Sequence, residues 1–265
     1  GGTQNASFSA TGGTPTRVNT TEVYDGTNWA TAASTVGPAR YEGCGAGSQS
    51  AGIIFGGINP PTLPNLSVVE EYNGTSWSFT SPMSTARSSF GSALNGTQQS
   101  SLVFGNYPQS TTTEEYNYGT ACIGAWSSGA NATITDKREL HFGKVGTQNA
   151  TLLISGYVTP SGVTTCTEEY DGTSWTAGGA NITPRYVGGN AGTQDAALFV
   201  GGNLVTSTHS NATEEYNGTT FASATVNPDT VDFPTAAGTQ NAGVVFGGRS
   251  APSGASDARY KCNQH

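Results

Sequence analysis

The chain has 265 residues, only 11% of them charged, with a formal net charge of −8 and an isoelectric point near 4.7. An acidic balance repels phosphate backbones and disfavours nucleic-acid partners, while 11 Tyr, 10 Phe and 4 Trp argue against a disordered chain. No apolar run approaches the roughly 20 residues that span a bilayer, and no basic start precedes an apolar core, so neither a membrane span nor a signal peptide is expected.

Along the chain the same phrase returns. Gly-Thr/Ser-Gln occurs at Gly2, Gly47, Gly96, Gly146, Gly192 and Gly238, and an acid-Tyr followed by Asn/Asp-Gly-Thr and an aromatic occurs at Tyr24, Tyr72, Tyr116, Tyr170 and Tyr216, with a worn copy near Tyr260. A period of about 45 to 50 residues built from short strands predicts a repeat architecture, a β-propeller, as one domain over residues 1–265. Each unit reads as four strands. The first is rich in small residues and opens with Arg: Arg40 to Ala46, Arg87 to Leu94, Arg138 to Val145, Arg185 to Ala191. The second is a brief apolar run closed by Gly, as in Leu198 to Gly201, too short for a helix and suited to a strand buried on both faces. The third carries the acid pair and Tyr, as in Thr213 to Tyr216, and the fourth carries Trp29, Trp77, Trp126, Trp175 or Phe221. Asp25-Gly26, Asn73-Gly74, Asp171-Gly172 and Asn217-Gly218 mark tight hairpins, because both residue types tolerate positive φ. The third unit departs at Asn117-Tyr118-Gly119, so its hairpin should be longer. The count gives six blades of four antiparallel strands with incomplete terminal blades; seven blades would need further residues upstream.

Four cysteines (Cys44, Cys122, Cys166, Cys262) lie far apart without metal-ligand spacing, so zinc is not expected. They read as packed free thiols, with a Cys122–Cys166 disulfide as the alternative. Ten Asn-x-Ser/Thr triplets occur, several of them explained by turn chemistry at Asn73, Asn95 and Asn217 rather than by glycosylation.

In an up-and-down blade the uniform Gly-Thr-Gln and Asn/Asp-Gly-Thr turns share one end. The other end gathers the crossovers between blades and the variable loops Ile58 to Leu66, Asn106 to Thr111, Tyr157 to Val163, Asn203 to Asn211 and Arg249 to Ser256. Variable loops on a regular scaffold are where recognition usually sits. On chemistry, Tyr107, Tyr157, His209 and Arg249 are the candidate contacts. The repeated Arg40, Arg87, Arg138 and Arg185 read as partners of acids in their own or a neighbouring blade rather than as an anion site. Catalysis finds little support. His141, His209 and His265 fall at unrelated repeat positions, and no nucleophile elbow, phosphate loop or dinucleotide fingerprint appears. Adjacent carboxylates such as Glu168-Glu169 point to opposite faces of a strand and cannot act on one bond. No catalytic residue, metal or cofactor is expected.

The Gly56-Gly57, Gly201-Gly202 and Gly247-Gly248 pairs, followed by the Glu-Glu-Tyr-Asn-Gly-Thr-Ser-Trp phrase, resemble kelch repeats over essentially the whole chain. The particular wording, Gly-Thr-Gln-Asn-Ala with Thr-Glu-Glu-Tyr-Asn-Gly-Thr-Ser-Trp, resembles kelch-like virion structural proteins of marine tailed phages, cyanophages especially. That resemblance implies a non-enzymatic module on a virion surface, tail fibre or adsorption apparatus. Its partners would be other virion proteins or a host-surface glycan or protein, in a homo-oligomeric assembly. The alternative is a secreted or cell-surface carbohydrate-binding propeller, a lectin or adhesin of cellular origin. The double Gly is lost at Gly105-Asn106 and Ser155-Gly156, and the sixth unit lacks a clear Glu-Glu-Tyr.

Overall fold

The computed structural model describes every residue except 4, 14–16, 60–63, 108–109, 119–123, 133–137, 140–142, 159–161, 205–207, 251–253, 256–258 and 264–265. The fold is all-β, and each repeat folds into its own small antiparallel sheet. Repeat one pairs Gly2–Thr3, Ala6–Gly13, Arg17–Tyr24 and Trp29–Thr35 in that order; repeat two pairs Cys44–Ser48, Ala51–Phe55, Val69–Tyr72 and Trp77–Phe79. Repeat three follows with Gly91–Ser92, Ser100–Phe104, Thr113–Tyr118 and Gly124–Gly129, and repeat five with Gly189–Gly192, Ala197–Val200, Thr213–Tyr216 and Phe221–Ser223. In repeat four, Gly143–Thr147 and the short Arg138–Glu139 both pair with Ala150–Val158, followed by Gly162–Tyr170 and Trp175–Ala177. Repeat six forms a three-stranded sheet of Thr235–Thr239, Ala242–Phe246 and Arg259–Asn263. The chain divides into two compact units, Gly1–Tyr107 with Thr112–Gly129 and Pro108–Thr111 with Ala130–His265, so repeats one to three fall in one and repeats four to six in the other.

The apolar second strands are buried on both faces, as their sequence requires. In repeat two, Ile53 and Phe55 pack with Val103, Phe90 and Tyr116 of repeat three, whereas Ile54 between them packs with Phe8 and Val36 of repeat one. Repeat five divides the same way: Ala197 and Phe199 join Leu152 and Ile154, and Leu198 and Val200 join Ala236 and Val245. The core therefore lies between neighbouring repeats, each strand contributing alternate side chains to two interfaces.

Two polar braces repeat with it. Gln49, Gln98, Gln194 and Gln240 of the Gly-Thr/Ser-Gln turns each reach back to the preceding repeat and donate to the carbonyls of its second and third strands. Gln98 Nε2 meets Gly52 O and Tyr72 O at 3.1 and 2.9 Å, Gln194 meets Thr151 O and Tyr170 O at 3.0 and 2.9 Å, and Gln240 meets Ala197 O and Tyr216 O at 3.1 and 2.8 Å. The second brace is a buried ion pair within repeats two, three and five. Arg87 Nε and Nη2 donate to Glu114 Oε1 at 3.1 and 2.8 Å, Arg185 pairs with Glu214, and Arg40 Nη2 lies 3.0 Å from Glu70 Oε1 without the alignment of a hydrogen bond. All six side chains are nearly inaccessible. Burial pushes the Glu114 carboxyl up, but Ser84 and Arg87 outweigh it and hold it below the usual carboxylate range. The arginines thus have the structural role expected of them; the Arg138 side chain lies outside the described residues.

Several local expectations need correction. The arginines do not open the first strands, which begin four or five residues later at Cys44, Gly91, Gly143 and Gly189. In repeats two, three and five the intervening residue Glu42, Ser89 or Val187 adopts φ of 58°, 52° or 56° and breaks the extended backbone. In the Asx-Gly hairpins only the glycine takes positive φ (89° at Gly74). The loop closes because Asn73 Oδ1 accepts the backbone N–H of Thr75 and Ser76 at 2.9 and 2.8 Å, and Asp25, Asp171 and Asn217 act likewise. Tyr72 and Trp77 flank that turn with ring centroids 4.9 Å apart. In the third repeat the strands run on, pairing Asn117 with Ala125 and Tyr118 with Gly124, so the hairpin is longer as expected. The worn copy at Tyr260 is out of register: Tyr260 pairs with Val245, the position of Glu70 opposite Ile54, and Cys262 takes the tyrosine's position opposite Gly243. Cys44 and Cys166 are free thiols; Cys44 is half-buried as expected, but Cys166 is exposed rather than packed. Cys122 lies outside the described residues.

Three outcomes follow from these braces. Replacing Gln194 by Ala leaves two carbonyls without their donor and should lower unfolding free energy by about 1–3 kcal/mol in urea titrations. Arg87→Met strands a buried Glu114 carboxylate and should cost about 3–5 kcal/mol, part of which the double change Arg87→Met with Glu114→Met restores. The Asp171 carboxyl is lowered from 3.8 to about 2, chiefly by the Thr173 hydroxyl and then the Ser174 and Thr173 amides. Its folded value lies below its unfolded one, so its contribution is complete above pH 3.8 and fades as pH falls through 2. Asp171→Asn, which copies the turns at Asn73 and Asn217, should flatten that part of the acid-unfolding profile.

Candidate functional site

The face opposite the Gly-Thr-Gln turns is built from three short backbone contributions per repeat. The residue after the structural Arg pairs with the residue after the double Gly, which pairs in turn with the strand that returns. In repeat two these are Tyr41, Ile58 and Asn65, and in repeat five Tyr186, Asn203 and His209. In repeat four, Glu139 pairs with Tyr157, and Tyr157 with Val163. In repeat six, Asp232 pairs with Arg249, and Arg249 with Ala255. The double Gly exists for this arrangement, because a Cβ at Gly57 would stand 2.7 Å from the Tyr41 carbonyl. Where repeat three has Asn106 in place of the second Gly, the Asn side chain takes over, accepting from Ser88 N at 3.1 Å and donating to Ala86 O at 3.2 Å. Where repeat four has Ser155 in place of the first, Ser155 adopts φ of 57° and its hydroxyl donates to Arg185 O at 2.5 Å.

Three of the candidate residues share one position of this ribbon. Tyr107, Tyr157 and Arg249 each follow the double-Gly site of their repeat, and His209 sits on the returning strand. The structure brings Tyr157, His209 and Arg249 into one run of neighbours in the second unit. Tyr157 and Tyr186 meet across the boundary of repeats four and five, with ring centroids 5.5 Å apart at 55°. Tyr186 exchanges backbone hydrogen bonds with Asn203 at 3.0 and 2.7 Å, and Asn203 pairs with His209. His209 Nε2 stands 3.4 Å from Asp232 Oδ2 across the next boundary. Arg249 then closes on the same carboxylate, its Nε and Nη2 donating at 3.1 and 2.7 Å, with its guanidinium 4.6 Å over the Phe233 ring. Asp232 is inaccessible while Arg249 is 58% exposed. The hydrogen bond that Arg249 donates to Asp232 raises the Arg249 pKa.

Tyr107 belongs to the other unit, is 48% exposed, and accepts from Asn65 Nδ2 at 2.7 Å through its carbonyl. A second junction there places the Arg17 guanidinium 4.1 Å over the Tyr41 ring. His141 and His265 lie outside the described residues. Among the described residues no group of three or more His, Cys, Asp and Glu gathers as a metal would need, and no helix is long and apolar enough to cross a membrane. The second carboxylates of the Glu-Glu pairs point away from the first, toward the next repeat. Glu71 accepts the Tyr116 hydroxyl at 2.6 Å and that of Tyr118, and Glu169 accepts that of Tyr216. Burial and the Glu169 carboxylate push Tyr216 up to about 12.

Tyr41, Tyr186, Asp232 and Phe233 were not singled out from sequence. Their signal is a one-residue offset: Tyr follows the structural Arg in Arg40-Tyr41 and Arg185-Tyr186, and Asp232-Phe233 follows Val231 where that Arg is lost.

The sheets and their order define a β-propeller fold. No family model matches the sequence, and no curated protein is similar to it. Among solved structures, one titled "Structure of YjhT" superposes with a TM-score of 0.77 at 13% identity, covering all of this chain and 95% of that one. At that identity the likeness speaks for the fold alone.

Proposed function

We propose that this propeller is a non-enzymatic recognition module of a tailed-phage virion, carried on the particle surface, a tail fibre or the adsorption apparatus. The observation that supports it is the division of labour within each repeat. Positions that hold the scaffold recur from repeat to repeat: the buried Arg and Glu, the reaching Gln, the Asx turn. Positions on the loop face carry different chemistry in each, Ile58, Tyr107, Tyr157, Asn203 and Arg249 at one and the same place. A scaffold held constant under a varied face is how recognition surfaces are built. The setting rests on the kelch-type, phage-like wording of the Gly-Thr-Gln and Glu-Glu-Tyr phrases. Its partners would be other virion proteins or a host-surface glycan or protein, and a symmetric assembly would multiply weak contacts by avidity.

A second reading, a carbohydrate-binding propeller of cellular origin, is favoured by the Tyr157–Tyr186–Phe233 aromatics beside the Asp232–Arg249 pair, a composition suited to sugar rings. Quantitative mass spectrometry on purified particles and on host envelope and secreted fractions separates the two. Co-purification with capsid or tail proteins at fixed stoichiometry is the expected outcome; recovery only with envelope or secreted material overturns the virion reading and promotes the lectin.

A further inference from the structure

The sixth repeat breaks the pattern at one place, and the break sits in the candidate site. In repeats two, three and five the residue before the crossover turn is an Arg buried against a Glu of the third strand. In repeat six that residue is Val231. Its backbone makes the same contacts, donating to Ser210 O at 3.0 Å and accepting from Gly202 N at 2.7 Å, as Arg87 does with Leu66 and Gly57. The position of the acid is taken by Tyr260. The buried pair is gone, and an ion pair stands one residue later, on the loop face, between Asp232 and Arg249. The Arg of this pair is 58% exposed, whereas Arg40, Arg87 and Arg185 are buried. The next residue, Phe233, takes φ of 52° as Glu42, Ser89 and Val187 do at the same position of their repeats, and it is 42% exposed.

From this relocated pair and its neighbours we infer that Tyr157, Tyr186, His209, Asp232, Phe233 and Arg249 form a subsite for an uncharged pyranose residue of a glycan. The inference rests on reading the protein as a recognition module. The Arg249 charge is matched by Asp232, so an anionic ligand gains little Coulomb attraction there, and a chain of net charge −8 does not attract polyanions. A neutral sugar needs what the site offers: donors and acceptors side by side, from a guanidinium that the buried Asp232 holds in place and from phenol groups, and aromatic surface for the C–H face of the ring. Arg40, Arg87 and Arg185 are closed off in buried pairs; Arg249 is turned outward.

The test is saturation-transfer NMR on the whole chain with the methyl glycosides of glucose, galactose, mannose and N-acetylglucosamine, each at about 10 mM, beside glucuronate. We expect transfer to at least one neutral glycoside and none to glucuronate. Phe233→Gly removes the ring while relieving the positive φ, so it should leave the melting temperature unchanged or higher yet weaken that glycoside about fivefold or more. Arg249→Gln should weaken it as well, with near-ultraviolet circular dichroism as the check on folding. Silence from every neutral glycoside, a preference for glucuronate, or binding indifferent to both variants overturns the inference. Binding of the wild-type chain to virion proteins or host envelope, measured in parallel, separates the two levels. Retention there with silent glycosides removes the sugar and keeps the recognition module; loss of both removes the module.

Discussion

The buried carboxylate of the first Glu in each Glu-Glu-Tyr is the point on which a repeat turns. Glu114 takes Arg87, the Ser84 hydroxyl and the Ser84 and Thr85 amides; Glu214 takes Arg185 and the amides of Ile182 and Thr183; Glu70 faces Arg40 and takes the amide of Gly37. Each carboxylate thereby ties the third strand to the crossover that entered the sheet. A charge withdrawn from water is tolerated only when so many donors surround it, and the crossover amides would otherwise be stranded in the interior. The group that desolvation makes costly is the group that fixes the path of the chain.

The second Glu shows why one strand carries two acids in succession. Adjacent residues of a strand face opposite ways, so while Glu70 closes its own repeat, Glu71 reaches outward to the hydroxyls of Tyr116 and Tyr118 in the next. The Gln brace and the tryptophans tie the other way, to the preceding repeat: Trp77 Nε1 donates to Thr21 Oγ1 at 2.8 Å and Trp126 Nε1 to Ser81 O at 3.0 Å. Within each unit, adjacent repeats are thus bound by the same few polar groups over an apolar interface. Stability in such a chain is a sum of repeat and interface terms, and loss of one brace weakens one interface.

This regularity is why the fold was legible. A phrase repeated at fixed spacing fixes strand count, order and the two-faced burial of runs such as Ala197–Val200, because each unit must solve the same packing problem. The pairing of the arginines followed from charge and position alone. What stayed hidden was conformational. That Arg87 precedes its strand rather than opening it depends on positive φ at Ser89, a residue type that does not announce it, and at Val187 the residue is β-branched and argues against it. The role of Gln98 was hidden for another reason. Its turn looks local, but its amide acts across a repeat boundary on carbonyls 46 and 26 residues away. At the loop face, chemistry picked out Tyr157, His209 and Arg249. It passed over Tyr186 and Asp232, whose importance comes from the neighbour each meets across a boundary.

A saturated scaffold also constrains where function can lie. The Arg, Glu, Gln and Asx side chains of each repeat are spent on internal hydrogen bonds, so changing them to meet a ligand would cost the fold. The residue after the double Gly and the residue after the Arg are different: their backbones are paired, but their side chains project where repeats adjoin. They can vary at little cost, and they do, from Ile58 to Tyr157 to Arg249 and from Tyr41 to Ser88 to Asp232. Because each such side chain meets one from the adjacent repeat, as Arg17 meets Tyr41 and His209 meets Asp232, recognition on this fold is written in pairs across boundaries. A single substitution therefore alters one junction and leaves the others as they were, which lets one face change its partner without changing its shape.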